Sequence, residues 1–177
     1  MPKISFTKKH LYILITVIVS VALDQLSKFL VSSGMTLGKK VTVIPYIFDF
    51  RYIINRGAAF GMLAEHRWVF MIVSSAAIIA LCIYCALCAQ KLNNLYIFGI
   101  AMIIGGGIGN MIDRIALGYV VDFIEFAFVD FATFNIADSF VCVGACVVGL
   151  ALIIDIVKEN KKAKSNNTKN NNAENKK

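Results

Sequence analysis

Four long apolar segments limit the possible folds of this 177-residue chain more than any other feature. A helix rises about 1.5 Å per residue, so about 20 apolar residues cross the roughly 30 Å hydrocarbon core of a bilayer. Hydrophobic residues make up 58% of the chain, more than a soluble domain normally carries. The sequence therefore predicts an all-α membrane protein, organised as a single membrane domain over residues 1–162. Its four transmembrane helices are expected at residues 11–31, 68–89, 92–112 and 139–157.

The charged residues predict how the chain is oriented in the membrane. The formal net charge is +7, and most of the excess cations lie before the first apolar segment and after the last one. Cytoplasmic segments next to membrane spans are enriched in Lys and Arg, so we expect both termini to be cytoplasmic. The same distribution argues against a nucleic-acid surface. Residues 163–177 are rich in Asn and Lys, and we expect them to form a disordered cytoplasmic tail.

The two outer loops, residues 32–67 and 114–138, carry signs of structure. Residues 48–52 alternate aromatic and charged side chains, and similar alternation surrounds Asp122, which is typical of half-exposed strands. We expect a turn at residues 55–57 and a short surface helix at residues 58–67. The second loop is rich in Phe, which has two interpretations: an anchoring belt at the bilayer surface, or a small β platform that holds a lipid-linked substrate.

Two aspartates at the membrane border are the main candidates for chemistry. Asp122 lies between Val121 and Phe123, where apolar neighbours raise the pKa of a carboxyl group. Asp138 directly precedes an apolar run, at a helix start whose dipole favours a negative charge, and the simple alternative is a helix N-cap formed by Asp138 or Asn135. Two carboxyl groups in unequal environments can share a proton and act as acid and base on a bound water.

Other polar residues near the spans have simpler explanations. Asp24 and Lys28 are four residues apart on the first span, so a local ion pair is one interpretation. Asp113 is adjacent to Arg114, and we expect these two to form a clamp that fixes the loop. Gly105 and Gly109 form a GxxxG pattern, which allows close contact between helices.

No metal or other cofactor is expected. The five cysteines all lie in apolar spans, where a Cys is usually a small packing residue. His10 and His66 are far apart in sequence and accompany no cluster of other ligands.

Five separated motifs resemble those of the lipoprotein signal peptidases, the signal peptidase II family, in the family's order. The resemblance covers roughly residues 10–158, all four spans and both outer loops. The motifs are Asp24-x-x-x-Lys28, Asn55-Arg56-Gly57-Ala58-Ala59-Phe60-Gly61, Gly109-Asn110-x-x-Asp113-Arg114, Val121-Asp122-Phe123 and Phe134-Asn135-Ile136-Ala137-Asp138-Ser139.

The resemblance implies a bacterial inner-membrane aspartyl endopeptidase with its active site at the outer face. Its fold would be four transmembrane helices with a small extracytoplasmic β-cradle and a short surface helix. The enzyme would act on prolipoproteins that carry diacylglycerol on a Cys, cutting just before that Cys, and would be inhibited by globomycin. Asp122 and Asp138 would be the catalytic dyad. The residues that would support the dyad or bind substrate are Asp24, Lys28, Asn55, Gly57, Asn110, Asp113, Arg114 and Asn135.

The expected partners are diacylated prolipoproteins and membrane lipid, with no nucleic acid, and we expect a monomer. Two other classes of protein fit the sequence less well. A small transporter with an aspartate proton relay fits four spans and several aspartates, but does not explain the strand-like outer loops. A non-catalytic membrane interaction protein does not need Asp122.

Overall fold

The computed structural model describes residues 6–57 and 67–174, which form four helices and three strands. In chain order these are α1 (Lys8–Gly34), β1 (Lys40–Ile44), β2 (Phe48–Asn55), α2 (Arg67–Cys88), α3 (Asn94–Ala116), β3 (Val120–Phe126) and α4 (Ile136–Glu174). Each helix contains a stretch long and apolar enough to cross a membrane, and each overlaps one predicted span. The predicted fold class is confirmed.

Helix α3 is the centre of the bundle, because it contacts each of the other three helices. Ile100 and Ile104 of α3 pack with Cys85 of α2 in an apolar cluster. Glycines allow its neighbours to approach closely. A Cβ atom built on Gly105 would lie 2.6 Å from the Cβ of Ser20 on α1, and one on Gly109 would lie 2.5 Å from the Asp24 carboxylate. The close contact predicted from the GxxxG pattern is therefore confirmed, and its partner is α1.

The three strands form one antiparallel sheet in the order β1-β2-β3. Both predicted strand segments are confirmed, at β2 and β3. Val121 and Phe123 of β3 pack with Tyr52 of β2 and Val31 of α1, which fixes the sheet to the end of the first helix. Because side chains alternate along a strand, Asp122 points away from this cluster.

Helix α4 is longer than the sequence predicted. It runs to Glu174, so the backbone is helical over most of the segment where the sequence predicted a disordered tail. Residues 158–164, just after the apolar run, contain four Lys, one Glu and one Ala, which are good helix formers, and extending a helix is much easier than nucleating one. The surface helix predicted at residues 58–67 lies outside the described residues, apart from Arg67, which begins α2.

Candidate active site

Asp122 is buried on β3, with only 2% of its surface exposed. Its carboxylate accepts two hydrogen bonds from amide side chains, one from Asn135 Nδ2 at 2.7 Å and one from Asn55 Nδ2 at 2.9 Å. Asn55 ends β2, the strand next to β3, and this pairing brings its side chain to the carboxylate. Burial raises the pKa of Asp122 to about 6, although the bond from Asn55 opposes the rise; the nearby charge of Asp138 adds to it.

Asp138 lies in the first turn of α4. One oxygen of its carboxylate accepts the backbone N–H of Asn135 at 3.1 Å, and the other accepts Asn110 Nδ2 at 2.8 Å. The side-chain oxygen of Asn135 in turn accepts the backbone N–H of Asp138 at 2.9 Å. Asn135 is thus the N-cap of α4, and Asp138 completes a reciprocal capping box.

Two asparagines link the two aspartates. Asn110 donates to Asp138, and Asn135 donates both to the Asn110 side-chain oxygen, at 3.0 Å, and to Asp122. The carboxylates therefore belong to one hydrogen-bonded chain, but their surroundings differ. Asp122 is enclosed by the sheet, whereas Asp138 lies at the positive end of a helix dipole.

Lys28 of α1 contacts the hydrogen-bonded series that links the two aspartates. Its ammonium donates to the side-chain oxygen of Asn110 at 2.9 Å and forms ion pairs with Asp24 at 2.8 Å and Asp113 at 3.1 Å. All three charged side chains are at least 96% buried, so the charge of each is stabilised only through its oppositely charged partners. The local Asp24–Lys28 ion pair is confirmed.

Asp24 and Asp113 each hold the backbone directly before a candidate catalytic residue. Asp24 accepts the backbone N–H of Ala137 at 2.9 Å, and Asp113 accepts that of Val121 at 3.1 Å. Gln25 joins these two carboxylates, donating at 3.2 Å to Asp24 and at 2.9 Å to Asp113. The sequence did not predict Gln25 as a site residue. Its only signal was its position next to Asp24 in the first span.

The predicted clamp between Asp113 and Arg114 is wrong. Among the described residues, the ion-pair partner of Asp113 is Lys28, and Arg114 donates to the backbone oxygen of Asn110 at 3.2 Å. Successive residues on a helix point in directions about 100° apart, so neighbours do not face each other. Arg114 points into the cavity beside the two aspartates instead.

A cavity of about 340 Å³ lies in front of the aspartates. Gly57 lines it and donates its backbone N–H to the side-chain oxygen of Asn55 at 3.0 Å. Asp24, Lys28 and Asp113 do not line it; they lie behind its wall. Its polar side is formed by Asn55, Gly57, Asn110, Arg114, Asp122, Asp138 and Thr133, and its apolar side by Val120, Phe131, Ala132, Phe134, Val141 and Cys142.

The sequence signals missed most of the apolar side. The sequence indicates a role for the Phe-rich loop as a whole but for none of its Phe residues in particular. Val141 and Cys142 look like ordinary residues of a membrane span. The one sequence clue is their spacing: Val141 and Cys142 follow Asp138 by three and four residues, which places all three on the same face of α4.

Comparison with known proteins agrees with the resemblance. The family model described as signal peptidase (SPase) II matches residues 16–154. A lipoprotein signal peptidase of Streptococcus pyogenes serotype M5 (strain Manfredo) is 43% identical over 145 residues, which cover 82% of this chain and 94% of that protein. The corresponding protein of serotype M3 (strain ATCC BAA-595 / MGAS315) is 42% identical over the same share.

Solved structures show the same architecture. A bacterial membrane enzyme solved by the in meso method at 2.3 Å resolution superposes with a TM-score of 0.76 and 33% sequence identity, covering 82% of this chain and 89% of the other. A second such enzyme, at 1.9 Å, gives a TM-score of 0.73. The fold, the matched motifs and the relatives agree, and the chain belongs to the signal peptidase II family.

Proposed function

We propose that this chain is an aspartyl endopeptidase that removes the signal peptide from prolipoproteins carrying diacylglycerol on a Cys, cutting just before that Cys. The observation that carries the proposal is the pair Asp122 and Asp138, which share one hydrogen-bonded chain and one cavity but differ in environment. The relatives named lipoprotein signal peptidases support the choice of substrate.

In the proposed mechanism the two aspartates divide the proton transfers. Asp138 accepts two hydrogen bonds and sits at a helix N-terminus, so it is suited to act as the ionised base. It takes a proton from water as the water oxygen attacks the scissile carbonyl carbon. Asp122, whose burial raises its pKa, is suited to hold the other proton and give it to the carbonyl oxygen. The C–N bond then breaks as the leaving nitrogen takes the proton held by Asp138. One hydroxyl of the intermediate returns its proton to Asp122, which leaves a carboxylic acid product and restores both aspartates.

Arg114 complements the pair. Its guanidinium lines the cavity beside both carboxylates, and the single negative charge of the pair moves from Asp138 to Asp122 as the neutral tetrahedral intermediate forms. A fixed positive group beside both carboxylates stabilises that charge throughout the step. Asn55 and Gly57, on the sheet side of the cavity, are placed to bind the substrate backbone.

The orientation follows from the ends of the helices. The proposed site lies where α3 ends and α4 begins, at the opposite end of the bundle from Lys8 and Lys9 at the start of α1. We propose that both termini are cytoplasmic and that the site faces outward, in the inner membrane of a bacterium.

Single-Cys variants at Lys39 and Ser165, in a background without native Cys, test this orientation. Residue 39 should react with an impermeant reagent in intact cells, and residue 165 only after permeabilisation. The reverse pattern contradicts an outward-facing site.

The central experiment is cleavage of a diacylated lipobox peptide by the purified protein. Asp122→Asn and Asp138→Asn should each lower kcat by about 10²–10⁴-fold, the usual contribution of general acid–base catalysis. The double variant should be little worse than either, because members of one catalytic unit are not additive. Asp130→Asn is the matched control, since Asp130 is an exposed aspartate of the same loop, and it should cleave normally.

Two results decide against the proposal. If the wild-type protein cleaves no lipopeptide, the peptidase function is wrong and a proton-relay transporter becomes the better explanation. If both single variants keep normal turnover, the mechanism has to be sought at Asp24, Asp49 or Asp113.

A further inference from the structure

The cavity continues from the aspartates along one face of α4. Asp138 is followed three and four residues later by Val141 and Cys142, which lie on the same face of the helix one turn further into the apolar span. Both line the cavity, and Cys142 is exposed. The lining of the cavity therefore changes from polar to apolar near the start of the fourth membrane span.

Another part of the cavity lining is aromatic. Phe131 lines the cavity with half of its surface exposed, and its ring packs against Phe126 and Phe134 at centroid distances of 5.9 Å and 6.2 Å. The loop that carries it is held by backbone hydrogen bonds between Phe134 and Ile124, at 2.8 Å and 3.0 Å. Phe131 is thus a supported wall and not a freely moving side chain.

We propose that Val141, Cys142 and Phe131 form a binding site for the diacylglyceryl group on the substrate Cys, and that they set the acyl preference of the reaction. This inference rests on the proposed function. It follows from covalent geometry: only the Cα and Cβ of that Cys separate the scissile nitrogen from the sulfur that carries the lipid. A peptide bond placed at Asp122 and Asp138 therefore puts the thioether within a few ångströms of them, where this apolar wall begins.

The alternative occupant is the signal peptide itself. A peptide strand brings backbone N–H and C=O groups that need partners, and polar lining residues such as Asn55, Gly57 and Thr133 can supply them. Val141 and Cys142 offer no such partners, because their side chains are apolar and the helix backbone behind them is already hydrogen-bonded. Acyl chains need no polar partner and continue from this wall into the bilayer.

The test is chain-length selectivity. Val141→Trp and Cys142→Trp fill the apolar side of the cavity. Each should lower kcat/KM for a dipalmitoyl lipopeptide more than for its dibutanoyl analogue. The expected difference is about tenfold or more, because contact with about two methylene groups is worth that factor. Val143→Trp is the matched control: Val143 is 49% exposed on the same helix but does not line the cavity, and both substrates should be cleaved normally.

A binding measurement covers the case in which a bulky variant does not fold. In a variant that retains only Cys142, an uncleavable dialkyl lipopeptide should slow modification of the thiol by a methanethiosulfonate reagent. The same peptide without lipid should not. A variant that retains only Cys82, exposed on α2, should react equally with and without the lipopeptide.

The outcomes separate the two proposals. Equal loss of activity on both chain lengths in a Trp variant that unfolds like the wild type, or protection of Cys142 by the unlipidated peptide, overturns the acyl site and assigns this wall to the signal peptide. Normal selectivity in both Trp variants overturns it as well. Absence of cleavage by the wild-type protein instead overturns the proposed function.

Discussion

Asn135 and Asp138 bind each other at the start of α4, each accepting the backbone N–H of the other, at 3.1 Å and 2.9 Å. The same Asn135 side chain donates to Asp122. One residue thus caps the helix that carries one aspartate and holds the other aspartate in place.

These two roles of Asn135 can be separated by substitution. Ser keeps an N-cap acceptor but lacks the amide that donates to Asp122, and Ala keeps neither. Asn135→Ala should be less stable than Asn135→Ser by about 1 kcal/mol, the usual worth of an N-cap. Both should lose cleavage to a similar extent. Thermal unfolding and turnover of the lipopeptide measure the two effects, and normal turnover in the Ser variant would show that the bond to Asp122 is dispensable.

Asp122 should make the protein less stable as the pH rises. Its pKa is about 6 in the folded protein against an ordinary value of 3.8, so the folded state holds this proton more tightly than the unfolded chain. Its contribution to stability is therefore full below about pH 4 and is lost as the pH rises through about 6. Two pKa units correspond to about 3 kcal/mol. Between pH 4 and pH 7, unfolding of Asp122→Asn should depend less on pH than that of the wild type, whereas Asp130→Asn should follow the wild type.

Cleavage should depend on the same proton. If protonated Asp122 is the acid, kcat/KM should fall as the pH rises above about 6, since the fraction carrying the proton then declines. A pH profile of single-turnover cleavage tests this, with unfolding followed in parallel to exclude loss of structure. A rate that keeps rising from pH 6 to pH 8 would assign the acid role to another group.

Lys28 should be essential for stability as well as for the site. Lys28→Met leaves the buried carboxylates of Asp24 and Asp113 without their cation, which typically costs about 3–5 kcal/mol. Lys39→Met, at an exposed position, is the control and should unfold like the wild type. Adding Asp24→Asn to Lys28→Met should recover part of the loss. If the double variant is no more stable than Lys28→Met, the destabilisation does not come from unpaired charge.

Two adjacent glycines of α3 should respond differently to Ala. A Cβ on Gly106 would collide with the backbone carbonyl of Ala137, which cannot move without shifting Asp138. A Cβ on Gly107 would meet only the side chain of Ile78, at 3.0 Å, and that side chain can adjust. Gly106→Ala should therefore lose about 1–3 kcal/mol of stability, as overpacked cores do, and also lose cleavage. Gly107→Ala should be nearly normal in both measurements.

Much of the fold could be predicted because its signals are local. The four apolar runs and the alternation around Asp49 and Asp122 depend on neighbouring residues, and the structure places helices and strands there. The end of α4 could not be predicted from composition, because the Lys- and Asn-rich segment has no apolar face of its own and continues a helix that began in the membrane.

For the candidate site, the sequence could predict most of the polar residues but not their contacts. The motifs brought Asp122, Asp138 and Asn110 together correctly on one cavity. They could not reveal that Asp113 pairs with Lys28, because that contact joins two helices and leaves no mark in the local pattern. For the same reason the bond from Ala137 to Asp24, across 113 residues of sequence, had no sequence signal.

The pairing of Asp24 with Lys28, one turn away on α1, also bears on when the site is completed during synthesis of the protein. Within α1 the two opposite charges lie 2.8 Å apart, which lowers the cost of carrying them in a membrane span. The backbone group that Asp24 finally accepts belongs to Ala137, which is synthesised with the last span. The proposed site is therefore complete only after the fourth span has been synthesised, and a chain that ends before α4 should not cleave a lipopeptide.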